Sequence, residues 1–165
     1  MERKDIVKKI GLVRGLLYYH YHILWKAFFD ALQVPYIESK NSTKETLELG
    51  KKKCIDETCL AMKLFLGHIE QLKNDCDFIL IPRIYSLVKN EQVCTNFNAL
   101  YDIVHNVYPD INIIFYNIDV KRHQSEKKAF LKIGKELGFS ILETNNAYNL
   151  AKEVEENYYI NLAKQ

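Results

Sequence analysis

Apolar strands and helical segments alternate along the chain, and this pattern limits the possible folds more than any other feature. "CDFILIP" (76–82) and "INIIFYNI" (111–118) are continuous apolar runs, typical of strands buried on both faces of a parallel sheet. "KIGLVRG" (9–15) and "VPYIES" (34–39) predict two more strands. We therefore expect an α/β fold, a Rossmann-like doubly wound sheet of about four mainly parallel strands with helices on both faces.

Helices are predicted between and after these strands, in segments whose apolar residues recur at helical spacing. They cover residues 18–32, 42–53, 56–72, 95–108, 125–137 and 145–165. Ser42 and Glu45 have capping-box spacing, Thr95 or Asn96 is the expected cap of the fourth helix, and Gly138 is expected to end the fifth. Residues 83–93 are predicted to be irregular. The 165 residues are enough for one domain, 1–165, with a full core.

Charge and hydropathy exclude several classes of partner. A net charge of +2 is too small to indicate nucleic acid or a membrane surface. Residues 1–10 lack the apolar core of a signal peptide, and no apolar run approaches the roughly 18 residues that span a bilayer. We therefore expect a cytoplasmic protein, in which the four cysteines are free, metal-bound or redox-active rather than paired in disulfides.

Two arginines follow predicted strands at the edge where α/β proteins bind ligands. In such sheets, ligands lie beyond the carboxyl ends of the strands, near the point where the strand order reverses. Arg14 and Arg83 follow the first and third predicted strands. A guanidinium there can bind phosphate or carboxylate through two hydrogen bonds. A surface arginine at a strand end is an equally good interpretation.

Two cysteines lie at predicted helix starts, where the helix dipole favours a thiolate. These are Cys59 and Cys94, 35 positions apart and without a CxxC spacing. The alternative is that both are small buried apolar residues, the usual state of a free cysteine. Cys54 and Cys76 lie at element edges and are weaker candidates. His68 lies mid-helix beside Gly67, where a core or interface histidine is a better interpretation than a ligand.

Four blocks of sequence resemble the domain of CoA-substrate-specific enzyme activase and 2-hydroxyacyl-CoA dehydratase-like proteins. "DETCLAMKLFLGHIEQL" is similar to the family pattern D-E-x-C-x-P-x-K-x-x-x-G-H. The other three blocks are "IGLVRGLLYYHYHILWKAFFDAL", "DFILIPRIYSLVKNEQVC" and "CTNFNALYDIVHN". Their order and spacing agree with the family from about residue 9 to 108, and more weakly to the end. Ala61, Thr95, Ala99 and Tyr101 stand where the family has proline or glycine.

The resemblance implies an iron–sulfur function. In the broader superfamily, cysteines between Rossmann-like lobes bind a [4Fe–4S] cluster that passes an electron. By this resemblance, Cys59 and Cys94 are the candidate cluster ligands. The residues that would line the same crevice are Arg14, Lys63, His68 and Arg83. The chain would then be an electron-transfer or accessory subunit related to the dehydratase and activase proteins.

The number of cysteines in these four blocks determines whether a partner is needed to complete a cluster. A cubane cluster takes four thiolates, and these blocks supply two. Either a second protein lobe completes the site, or a homodimer shares it, or this copy lacks the cluster. The alternative function is a cofactor-free interaction or small-ligand-binding module that kept only the fold. The segment "NYYINL" is either a docking surface or the apolar face of a terminal helix.

Overall fold

The computed structural model describes residues 8–164, which form one parallel sheet covered by helices. The sheet has the strand order β2-β1-β3-β4, and every neighbouring pair in it is parallel. Its strands are β1 (Ile10–Leu12), β2 (Tyr36–Glu38), β3 (Phe78–Ser86) and β4 (Ile113–Asp119). The predicted fold class is confirmed. Because β1 has β2 on one side and β3 on the other, the strand order reverses beside β1, and a crevice is expected at the carboxyl ends of β1 and β3.

Helices cover both faces of the sheet. They are α1 (Tyr18–Ala31), α2 (Lys44–Lys51), α3 (Leu60–Leu72), α4 (Thr95–Val107), α5 (Glu126–Glu136) and α6 (Ile141–Leu162), with a 3-10 turn at Val120–Arg122. The helices α1, α5 and α6 pack on one face, and α3 and α4 pack on the other, with α2 against α3. Among the described residues, no helix is both long and apolar enough to cross a bilayer.

The side chains of β3 alternate between two separate cores. Leu80 and Ile84 face the cluster under α1, α5 and α6, whereas Ile79 and Ile81 face the cluster under α3 and α4. All four are buried. Since successive side chains of a strand point to opposite faces, a strand covered on both sides needs apolar residues at every position. This is the physical origin of the continuous apolar run in the sequence.

Aromatic packing anchors α1 to the sheet. Trp25 stacks on Tyr21 with ring centroids 5.6 Å apart, and its ring meets Tyr116 of β4 edge-on at 5.4 Å. Phe28 packs against Phe130 of α5 at 4.5 Å. All five rings are buried. Each such side chain contributes about 1.5–3 kcal/mol by leaving water, so this cluster holds α1 firmly on its face of the sheet.

The sequence predicted the elements well but placed several of their ends incorrectly. β1 is shorter than the predicted strand, and α3 begins at Leu60, four residues after its predicted start. β3 continues to Ser86, so the start of the stretch predicted to be irregular is strand, and Arg83 pairs with Asn117 inside the sheet instead of following the strand. α4 is capped by Cys94, where Thr95 or Asn96 had been predicted. α6 begins at Ile141, four residues before its predicted start.

The predicted capping box of α2 is shifted by one residue. Thr43 and Thr46 form it reciprocally, because the hydroxyl of Ser42 lies instead against His68. Gly138 ends α5 as predicted, with a φ of +86°, a value that favours glycine. The signal-peptide interpretation concerned residues 1–10, of which 1–7 lie outside the described part of the chain.

Candidate functional site

Cys59 and Cys94 each occupy the N-cap position of a helix on the same face of the sheet. Cys59 caps α3 and Cys94 caps α4, and both side chains are exposed. Since α3 precedes and α4 follows the parallel strand β3, both helices begin at the carboxyl edge of the sheet. The amide nitrogen Nδ2 of Asn96, in the first turn of α4, lies 3.5 Å from the Sγ atom of Cys59. The structure therefore places Cys59 within side-chain reach of the helix that Cys94 caps.

The backbone at both cysteines leaves the start of each helix open. Cys59 has φ and ψ of −61° and 151°, and Cys94 has −51° and 140°, so each chain enters its helix from an extended conformation. Within residues 8–164, neither N-cap side chain makes a capping hydrogen bond. The first N–H groups of a helix have no intrahelical acceptor, and the helix dipole favours negative charge there. Each cysteine thus stands where an anionic ligand atom is stabilised.

Lys63 and Arg83 form hydrogen bonds near these two helix starts. The Nζ atom of Lys63 donates to the carbonyl oxygen of Asp56 at 2.7 Å and so ties α3 to the loop before it. The Nε atom of Arg83 donates to the carbonyl and side-chain oxygens of Asn98 in α4, at 2.9 and 3.1 Å. These contacts fix the positions of the segments that carry Cys59 and Cys94.

Arg14 belongs to a separate polar network at the ends of β1 and β2. Its guanidinium donates to Asn41 Oδ1 at 2.7 Å and lies 3.0 Å from the carboxylate of Glu38. The same carboxylate binds Lys26 at 2.9 Å and accepts from the Tyr18 hydroxyl at 2.8 Å. Burial opposes ionisation of Glu38, but the bonds from Lys26 and Tyr18 outweigh it and hold its pKa below the usual value. Burial and the bond to Glu38 raise the pKa of Tyr18 to about 12.

His68 lies inside the core near this network. Its side chain is 0% exposed, and its Nε2 atom lies 2.9 Å from the Ser42 hydroxyl. Desolvation lowers the pKa of His68. The nearby Gln71 side chain raises it and the positive charge of Arg14 lowers it, so that the net shift is downward. Within the described residues, neither His68 Nδ1 nor Arg14 Nε has a hydrogen-bond partner, although both atoms are buried.

The remaining two cysteines differ from the exposed pair. Cys54 and Cys76 are half-buried, and their Sγ atoms lie 3.3 Å from the carbonyl oxygens of Gly50 and Leu72. Burial, together with nearby carboxylates, raises the pKa of Cys76 to about 11. In residues 8–164, no three or more His, Cys, Asp or Glu side chains form a group that could hold a metal ion. One chain therefore presents two accessible thiols, half the number that a cubane takes.

A comparison with protein-family models shows which family the chain belongs to. A model described as CoA enzyme activase uncharacterised domain (DUF2229) matches residues 9–165. The chain belongs to this family. The predicted resemblance to an activase-like domain is confirmed. Searches of curated proteins and of solved structures gave no match for this activase domain.

Sequence reasoning missed two features of the candidate site. Asn96 was considered only as a helix cap, whereas its amide reaches across to Cys59. Glu38, which binds both Arg14 and Lys26, was not singled out. The available signal was a carboxylate at the carboxyl end of β2. This strand lies beside β1, which Arg14 follows. Nothing in the sequence indicated the contact of Asn96. The ligand-binding roles of Arg14, Lys63, His68 and Arg83 stay predictions.

Proposed function

We propose that this activase domain is an accessory subunit that supplies the thiolates of Cys59 and Cys94 to an iron–sulfur cluster shared with a second protein lobe. One observation carries the proposal. The two exposed thiols belong to the N-cap residues of helices that begin at the same sheet edge, and the amide of Asn96 in α4 lies 3.5 Å from the sulfur of Cys59. This edge adjoins the reversal of strand order, where α/β folds bind ligands.

The two exposed thiols would supply half of the ligands of a [4Fe–4S] cluster. Such a cluster takes four thiolates and, when bound, accepts and donates one electron. The starts of α3 and α4 favour the negative charge of thiolate ligands. The Asn96 amide can donate to sulfur, and hydrogen bonds to ligand sulfur tune the reduction potential. Lys63 and Arg83 hold the two helix starts in place.

Anaerobic reconstitution tests the proposal. The full chain is incubated with iron and sulfide under reducing conditions, and bound iron, bound sulfide and the visible absorption spectrum are measured. We expect a brown protein and a loss of most bound iron in Cys59→Ser and in Cys94→Ser. Cys54→Ser and Cys76→Ser are matched controls and should keep the iron, because their thiols are half-buried.

Co²⁺ titration tests whether the two thiols converge, without requiring a full cluster. Two thiolates on one Co²⁺ give intense sulfur-to-metal charge-transfer absorption, which either serine variant should abolish. A colourless, iron-free protein together with a Co²⁺ spectrum unchanged in both variants contradicts the proposal.

A cofactor-free module that binds a small anion is the second candidate. It is favoured by the buried, unpartnered Arg14 Nε and His68 Nδ1 atoms, found within the described residues. The family description supports CoA as the first ligand to try, and its phosphates suit a guanidinium. Calorimetric titration with CoA should show binding that Arg14→Gln weakens and the exposed Lys44→Gln does not. This candidate also expects Cys59→Ser and Cys94→Ser to bind CoA normally.

A further inference from the structure

Large apolar side chains are exposed around the two thiols. Ile55, just before α3, is 71% exposed, and Leu60, directly after Cys59, is 60% exposed. Leu87 and Val88 follow β3 and are 44% and 50% exposed. All four belong to segments at the carboxyl edge of the sheet, which also carries the exposed Tyr19 and Val120. These exposed side chains leave apolar surface at this edge available for contact with another molecule.

Charges of opposite sign lie on two sides of the same edge. Asp56 and Glu57 precede α3, and both are exposed. Lys121 and Arg122 follow β4 and are also exposed, and the Arg122 side chain, 79% exposed, lies 3.6 Å from Asp119. A second copy related by a twofold axis presents its basic corner to the acidic corner of the first, and the reverse. In that arrangement the two acidic residues meet the two basic ones, which favours self-association over repulsion.

We infer that a second copy of this chain covers the carboxyl edge, with Asp56 and Glu57 of each copy facing Lys121 and Arg122 of the other. The apolar side chains of Ile55 and its neighbours fill the centre of this contact. The inference rests partly on the proposed function, because two copies together present four exposed thiols, the number that a cubane takes. The exposed apolar residues and the opposite charges at this edge do not involve a metal.

Charge reversal tests this contact specifically. Sedimentation equilibrium measures the dimer dissociation constant of the full chain under anaerobic, reducing conditions, before and after reconstitution with iron and sulfide. The double variant Asp56→Lys with Glu57→Lys should weaken the dimer about tenfold or more, and so should Lys121→Glu with Arg122→Glu. Combining all four substitutions should restore it, since each acidic corner again meets a basic one. All four positions are exposed, and circular dichroism confirms that each variant is folded.

Two apolar variants of equal exposure provide the matched control. Ile55→Ser removes a side chain that is 71% exposed at the carboxyl edge, and Leu142→Ser removes one that is 70% exposed at the opposite edge, at the start of α6. We expect the first to weaken the dimer and the second to leave it unchanged. Equal effects of the two variants overturn the inference, as does a quadruple charge variant that stays as weak as either double variant.

The outcomes separate this inference from the proposed function. A dimer that is sensitive to charge reversal, takes up no iron and gives a Co²⁺ spectrum unchanged in Cys59→Ser and Cys94→Ser supports the interface and contradicts the cluster. A chain that binds iron while remaining monomeric overturns the interface and leaves the cluster proposal in place with a different second lobe. A chain that is monomeric at about 100 μM before and after reconstitution overturns the interface.

Discussion

The crossing of α2 and α3 gives the sharpest prediction, because two glycines let the helix backbones touch. A Cβ atom on Gly67 would lie 1.9 Å from the carbonyl oxygen of Thr46, and one on Gly50 would lie 1.7 Å from the carbonyl oxygen of Lys63. Both obstacles are backbone atoms and cannot rotate away. Relief requires the helices to move apart, which would disturb the α3 start that carries Cys59.

Two effects of opposite sign compete in Gly67→Ala. Replacing glycine by alanine inside a helix stabilises it by about 0.5–1 kcal/mol. Overpacking a well-filled contact costs typically about 1–3 kcal/mol. A separation of 1.9 Å is far inside the van der Waals distance, so the cost belongs in the upper part of that range. We expect a net loss of about 1–2 kcal/mol in the free energy of unfolding.

Urea denaturation at 25 °C, followed by circular dichroism, measures this loss. Gly50→Ala should behave like Gly67→Ala, and the double variant should lose less than the sum, because one separation of the helices relieves both clashes. Gly138→Ala is the control. Within the described residues, no atom lies within 4 Å of its added Cβ, so its cost is backbone strain alone and α3 stays in place. A Gly67→Ala variant more stable than the wild type would refute the close crossing.

Three further predictions concern protonation, helix position and thiol reactivity. Below pH 6.5 the free energy of unfolding should fall by up to about 1.4 kcal/mol per pH unit, because burial lowers the pKa of His68 and the unfolded state then binds more protons than the folded one. His68→Gln should remove this contribution in urea titrations at pH 7.5 and 5.5. Arg83→Gln should loosen the start of α4, seen as faster amide hydrogen exchange there, since its bonds to that helix are lost. Iodoacetamide at pH 8, followed by mass spectrometry, should label Cys59 and Cys94 before Cys76, whose pKa is about 11.

Controls make these three predictions decisive. A variant at His68 that keeps the wild-type pH dependence would contradict the effect of burial on this ring. Unchanged exchange at α4 in the Arg83 variant would show that its hydrogen bonds do not hold the helix. Labelling of Cys76 as fast as Cys94 would contradict the effect of burial on that thiol.

Periodicity predicted the parallel sheet because burial on both faces leaves a strong signal. β3 and β4 are continuous apolar runs, and both lie in the sheet with β3 between two neighbours. The end of β3 was missed because Arg83 and Tyr85 interrupt the run. Their side chains are only half-buried, and the strand continues because Ile84 and Ser86 remain buried on the other face. Local polarity at a half-covered strand end cannot be distinguished from a loop without knowing what packs there.

Caps depend on tertiary contacts that the sequence does not show. Ser42 and Thr43 both suit the start of α2, and their spacing to Glu45 and Thr46 is equivalent. The structure uses Thr43, because the Ser42 hydroxyl is 2.9 Å from the buried His68 of α3. The position of His68 follows in turn from the close crossing of α2 and α3. A contact between helices thus decides a local choice that propensity leaves open.

The positions of the two arginines show how one strand boundary changes a site. Counting β3 through Arg83 places its side chain on the face of Ile79 and Ile81, toward α4, where it binds Asn98. Arg14 has the parity of Ile10 and Leu12, which face α1, and it binds Glu38 at the end of β2 and Asn41 beyond it. Side-chain alternation, applied to a strand of the correct length, therefore assigns Arg83 to the helix that Cys94 begins. It assigns Arg14 to a separate network. For both arginines to line a single cleft, each would first have to break the contacts described above.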